Sequence, residues 1–189
     1  MCIMKNSFIK LYMNCHNEFR TYASIYLFGS LFTNVNVKID TGCSSTTFLT
    51  SKLGLPKAES QRLKLHDCND NTIRKVISFG VNDSKPFREK SLLAFQTHQY
   101  EHLTCVSFVH KIKNLEIAGT PARNTEIKVN YDRTGNILIG MDIISTWDTH
   151  IGTLKSGETL LLACPQNHLN YEYYNELERF FKLKPLIIY

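Results

Sequence analysis

Asp40-Thr41-Gly42 closes the stretch VNVKIDTG, and an aspartate in that setting can do acid–base work. A glycine two residues on lets the backbone turn sharply and lets its N–H approach the carboxylate. The Thr41 hydroxyl can donate or accept one more hydrogen bond. The tripeptide by itself is weak, since one of this kind occurs by chance in roughly one chain in twenty-five of this length. Its position strengthens it. Val35, Val37 and Ile39 alternate with Asn36 and Lys38, the two-residue period of a half-buried strand. The acid is therefore delivered by a strand. A strand-ending turn without chemistry is the competing reading.

Other constellations carry less. His98, His102, Cys105 and His110 are the best metal candidates. On a helix His98 and His102 would lie one turn apart and could share a zinc ion. Their surroundings read as β, where residues four apart are about 13 Å distant, so no metal site and no cofactor is expected. Ser44 and Ser45 lack a GxSxG elbow and read as an ordinary turn. Asp142 reads as a residue that caps or flanks a short helix. The six cysteines show no CxxC spacing and are expected to be free thiols.

The elements that must position Asp40 are short and mostly extended. YASIYLF (22–28) and VNVKI (35–39) read as the strands of a hairpin, with GSLFTN (29–34) as its turn region. SKLGLP (51–56) reads as a helical turn ended by Gly54 and Pro56. RLKLHDCNDNTIRKVISFGV (62–81) reads as strand, turn, strand, with the turn at DCNDN (67–71), where Asp and Asn favour local side-chain bonds. SLLAFQ, LTCVSFV and TEIKVNY are further strands. NILIG (136–140) reads as a buried strand and MDIISTW (141–147) as a turn or two of helix. GTLKSGETLLLA reads as a hairpin around Ser156-Gly157. Leu169, Tyr173, Leu177 and Phe180 repeat at helical spacing in a closing amphipathic helix. The fold class is therefore mainly β. The first 20 residues read as a tail or a leading strand.

IDTGCSSTTF, then SKLGL, then NILIGMDII about ninety residues later, resembles the retropepsin-like (retroviral-type) aspartic protease family. The resemblance spans about residues 22–163 and implies an acid-protease fold, a closed β-barrel with one lobe per chain. A domain over 21–164 would stand between an N-terminal tail (1–20) and a C-terminal helix and tail (165–189). Asp40 would be the catalytic residue. Thr41 would bond across a dimer, Gly42 would offer its N–H to the carboxylate, and Ile139 and Gly140 would back the catalytic loop. The 61–80 hairpin would be the flap over substrate, with Asp67, Cys68, Asn69, Asp70 and Asn71 near its tip. The implied function is an aspartic endopeptidase that activates water between two Asp40 carboxylates of a homodimer. The alternative is a weak or inactive dimer that binds peptides or serves as a scaffold.

The chemistry explains why a partner is needed. One carboxylate acts as base toward water and the other as acid toward the carbonyl oxygen. No second Asp-Thr-Gly or Asp-Ser-Gly is present: Asp83-Ser84-Lys85, Asp148-Thr149-His150 and Asp132-Arg133-Thr134-Gly135 all depart from it. A C2 dimer supplies the missing half. Three features depart from the family pattern, one being that the flap tip DCNDN lacks the glycines usual there. Cys43 stands where Ala is usual. Lys38 stands where an apolar residue is usual, on the strand face that Asp40 shares, about 7 Å away. A nearby ammonium favours an ionised carboxylate. Lys38 could also point to solvent or select an acidic substrate.

Composition bounds the partners. The chain has 189 residues, 43% hydrophobic and 21% charged, which suits one folded domain with a short appendage. Its net charge of +5 is scattered, with no basic stripe for nucleic acid. No segment reaches the roughly 18 apolar residues of a membrane helix. A soluble, cytoplasmic protein acting on polypeptide is the expectation, with no nucleic-acid or membrane partner.

Overall fold

A computed structural model describes residues 8–79, 104–122, 126–131, 133–165 and 170–183. In chain order the strands are β1 (Ile9–Tyr12), β2 (Phe19–Leu27), β3 (Ser30–Ile39), β4 (Thr47–Leu49), β5 (Arg74–Phe79), β6 (Thr104–Lys111), β7 (Leu115–Ile117), β8 (Thr120–Pro121), β9 (Glu126–Asn130), β10 (Ile137–Ile139), β11 (Trp147–Thr153) and β12 (Thr159–Pro165). The helices are α1 (Lys57–Asn69), α2 (Met141–Ile144) and α3 (Tyr171–Phe181), with a 3-10 turn at Thr50–Lys52. The chain is thus mainly β with a few helices. It divides into two compact units. One comprises residues 1–46, 112–125 and 137–189, and the other residues 47–111 and 126–136.

The first unit holds the Asp40 segment. Its larger sheet runs β10-β3-β2-β7-β8. The β2–β3 hairpin turns on Phe28 and Gly29 alone, both at positive φ, as a two-residue primed turn requires. The turn region expected over 29–34 is therefore mostly strand, and β3 begins at Ser30. A bulge between Ala23 and Ile25 takes up the offset, with Asn34 in the left-handed region. Beyond the bulge Val35, Val37 and Ile39 point inward, as their alternation predicts. β10 joins β3 in parallel, Ile139 beside Ile39. Among the described residues no ladder closes this sheet on itself, so the closed barrel is not seen in its pairing.

A second, three-stranded sheet of this unit runs β1-β12-β11. Residues 9–12 of the N-terminal segment are thus a leading strand, paired with β12. The hairpin around Ser156-Gly157 forms as β11 and β12. α3 lies on β12, with Tyr173 and Leu177 buried against Leu160, Leu162 and Cys164. Its first turn is capped by Asn170, whose side chain accepts from the N–H groups of Glu172 and Tyr173, a cap worth about 1 kcal/mol. Leu169, SLLAFQ and the C-terminal PLIIY lie outside the described residues.

The second unit is a sheet β5-β6-β9-β4 with α1. The strand-turn-strand expected over 62–81 is corrected here: residues 57–69 are helix, and only 74–79 are strand. The alternation of Leu63 and Leu65 suggested a strand, but Leu65 is 63% exposed. The inward residues are Leu63 and Asp67, one helical turn apart. Lys, Ala, Glu, Gln and Arg favour the helix, and a Glu59–Arg62 pair supports its first turns. Asp67, Cys68 and Asn69 therefore end a helix rather than tip a flap. Asp70 caps the turn that follows, accepting from the Thr72 N–H at 2.8 Å.

Asp67 is buried and accepts from the Tyr131 hydroxyl and from His110 Nε2, the latter at 2.7 Å. Burial alone would raise its pKa, but the bonds to His110 and Tyr131 outweigh it and hold the carboxyl below its ordinary range. Asp67→Ala is expected to cost about 2–4 kcal/mol in urea unfolding, because it removes a buried charge-assisted acceptor of two bonds. The sign with pH follows from the lowered value. Ionised Asp67 stabilises the fold fully above about pH 4 and progressively less as pH falls below it. The gap between wild type and Asp67→Asn should therefore narrow as pH falls below about 4.

Candidate active site

The site is built from the ends of two parallel strands. β3 and β10 run in register from Val37 beside Ile137 to Ile39 beside Ile139, so the chain leaves both strands at the same level. The Asp40 N–H donates to the Ile139 carbonyl at 3.0 Å, extending that ladder by one residue. A tight turn follows, in which the Cys43 N–H donates to the Asp40 carbonyl at 3.1 Å. The Met141 N–H then donates to the Cys43 carbonyl at 2.8 Å, which straps the far side of the loop to the start of α2.

Within that loop the Gly42 N–H donates to Asp40 Oδ1 at 3.0 Å. The other carboxylate oxygen, Oδ2, lies 3.7 Å from Lys38 Nζ. The Asp40 side chain is 29% exposed, and Thr41 and Gly42 are exposed beside it. A carboxylate oriented by a backbone N–H and open to solvent on one side can hold or exchange a proton with water. Cys43, half-buried, donates its thiol to the Ser45 carbonyl at 3.1 Å and so faces its own loop.

Ile139 and Gly140 lie against the loop. Ile139 is fully buried. A Cβ on Gly140 would fall 2.5 Å from the Ser45 carbonyl carbon and 2.8 Å from its nitrogen and oxygen, so the two backbones touch here. The Gly140 N–H donates to Thr46 Oγ1 at 3.0 Å. Thr46 is in turn clamped by Asp142, which accepts from its hydroxyl at 2.7 Å and from its N–H at 2.8 and 2.9 Å. Asp142 thus does more than flank α2, and it ties the end of the Asp40 loop to that helix.

Lys38 shares a face with Asp40, as strand alternation predicts, but does not point freely to solvent. Its ammonium lies 3.2 Å from Glu18 Oε1, nearer than to Asp40. The other Glu18 oxygen pairs with Arg20 Nε at 2.6 Å. Glu18, Arg20 and Thr46 were not candidates from sequence. The signal for the first two is the Glu-x-Arg spacing, which in extended chain puts both side chains on one side, Glu18 just before β2 and Arg20 within it. The residues expected at a flap tip, Asp67 to Asn71, belong to the other unit, in α1 and the turn after it.

His98 and His102 lie outside the described residues, while His110 on β6 is bonded to Asp67. Among the described residues no three His, Cys, Asp or Glu groups gather as metal ligands would. Among them also, no helix is long and apolar enough to cross a membrane.

No protein-family model matches the chain, and no curated protein sequence does. Among solved structures, the chain is similar to a retropepsin-like aspartic protease from Rickettsia conorii, at 14% identity over 83% of this chain and 92% of that one, with a TM-score of 0.43.

Proposed function

We propose that the chain is an aspartic endopeptidase that works as a homodimer, with one Asp40 from each copy forming the catalytic pair. The observation that carries this reading is the setting of Asp40. It follows directly on a half-buried strand, its carboxylate is oriented by the Gly42 N–H, and its loop is bonded to β10 and α2 at both ends. The resemblance of IDTG and ILIG to the retropepsin-like pattern agrees with that setting.

The mechanism follows from two carboxylates that share one proton. The ionised Asp40 takes a proton from water as the water oxygen bonds to the peptide carbonyl carbon. The protonated Asp40 gives its proton to the carbonyl oxygen. The resulting tetrahedral diol collapses, the C–N bond breaks, and a proton passes to the leaving amine. Thr41, exposed next to Asp40, would bond the facing loop of the second copy. Gly42 would keep the carboxylate oriented, and Ile139 with Gly140 would keep the loop rigid.

Cleavage of an unstructured polypeptide is the test. Purified protein should cut it, a pepstatin-type statine inhibitor should stop the cutting, and activity per chain should fall on dilution below the dimer dissociation constant. Cleavage indifferent to the inhibitor would overturn the reading. The Lys38 contact, 3.7 Å from Asp40, favours a second reading as a peptide-binding dimer without catalysis. A dimer that binds peptides and cleaves none from acid to neutral pH would select it.

A further inference from the structure

A row of charges crosses the β2–β3 hairpin beside Asp40. Arg20 and Lys38 stand directly opposite each other in the ladder, a like-charge pair that would repel. Glu18 lies between them, one oxygen 2.6 Å from Arg20 Nε and the other 3.2 Å from Lys38 Nζ. Glu18 is held from its backbone outward. Its N–H donates to Asn14 Oδ1 at 3.0 Å, and its carbonyl accepts from the Asn14 N–H at 3.0 Å. Phe19, next along, is paired with Ile39, one residue before Asp40. Arg20 is fixed further by its bond to Asn36 Oδ1 at 3.0 Å.

We propose that Glu18 is a positioning residue for the Asp40 site, holding the Lys38 ammonium back from full contact with Asp40 so that the carboxylate pair can carry its shared proton. The proposal rests on the reading of Asp40 as half of a catalytic pair. Without Glu18 the ammonium would be drawn to Asp40 alone. The 3.7 Å separation would then close toward the roughly 2.8 Å of a charge-assisted hydrogen bond, which favours the ionised form. Ionised carboxylates on both copies leave no acid for the carbonyl oxygen.

Glu18 itself stays charged into the acid range, because its bonds with Arg20 and then Lys38 hold its carboxyl below the ordinary value. The charged groups described around Asp40 in this unit are Lys38 from β3, Arg20 from β2, and Glu18 just before β2. Asp142, from α2, is committed to Thr46.

The test is a double-mutant cycle of Glu18→Gln, Lys38→Met and the two together, with thermal melts to confirm folding. Glu18→Asp serves where Glu18→Gln fails to fold. Two readouts are taken: the pH profile of kcat/KM, and the titration of the Asp40 carboxyl carbon by NMR, which needs no substrate. Glu18→Gln should move the alkaline limb of the profile, and the carboxyl titration, about half to one unit toward lower pH. That is a roughly three- to tenfold loss of rate on the limb. In the Lys38→Met background, Glu18→Gln should move neither. An equal shift in both backgrounds would mean that Glu18 acts through its own field, and the proposal fails. It fails likewise if folded Glu18→Gln shifts nothing. A chain that cleaves nothing yet shows the Lys38-dependent titration shift would sink the protease reading and leave the coupling intact.

Discussion

Asp40→Asn is expected to abolish peptide hydrolysis while leaving the fold in place. Asn has the same shape, and its amide oxygen can still accept the Gly42 N–H that now bonds Asp40 Oδ1 at 3.0 Å. The partly exposed pair with Lys38 is lost, which costs no more than about 1 kcal/mol. The chemistry suffers far more. A carboxamide can neither take a proton from water nor hold one for the carbonyl oxygen. Each acid–base role contributes about 10²–10⁴ in rate, and in a symmetric dimer both copies lose theirs together. Cleavage should therefore fall by at least about 10⁴, to background, with a melting temperature close to wild type.

Mixing adds a second measurement. In an equilibrated equal mixture of wild type and Asp40→Asn, only dimers with two intact copies retain the pair, so activity should drop to about one-quarter. A drop only to half would mean that each chain works alone. A variant that keeps more than about 1% of wild-type activity would remove Asp40 from the chemistry altogether.

How far the sequence reveals this site depends on the range of the interactions involved. Val35, Val37 and Ile39 announce β3, and the Gly42 contact with Asp40 spans only two residues, so both follow from local pattern. The charges around Lys38 do not. Glu18 and Arg20 reach Lys38 only through the register of the hairpin. That register is set by a two-residue turn at Phe28-Gly29 and a bulge near Ser24, neither of which shows in the apolar pattern. The clamp between Thr46 and Asp142 spans 96 residues and depends on the parallel pairing of β3 with β10. α1 is missed for another reason. Leu63-Lys64-Leu65 alternates like a strand, and the residue that completes the inward face at helical spacing is a charged one, Asp67. A pattern read from apolar positions passes over a buried acid whose burial is compensated by His110 and Tyr131.

Gly140→Ala is expected to be among the most destabilising single-methyl changes in the chain, and the reason is contact rather than backbone conformation. Gly140 has φ −97° and ψ −176°, extended values open to any residue. The added methyl would meet Ser45 backbone atoms at 2.5 to 2.8 Å, far inside contact distance, and backbone cannot swing aside as a side chain can. The loop and α2 must then separate. The bonds that hold them are Met141 N–H to the Cys43 carbonyl, Gly140 N–H to Thr46 Oγ1, and the Asp142 clamp, so the strain falls on all three. A cost of about 2–4 kcal/mol is expected, read as a lower urea midpoint at unchanged slope. Gly42→Ala gives the contrast. Its methyl would meet only Asp40 Oδ1, at 3.3 Å, a side-chain atom that can rotate. That variant should lose less than about 1 kcal/mol of stability yet displace the carboxylate, so its kcat should fall by at least about tenfold. If Gly140→Ala instead unfolds within about 0.5 kcal/mol of wild type, the close packing of Gly140 on Ser45 is not what holds the Asp40 loop.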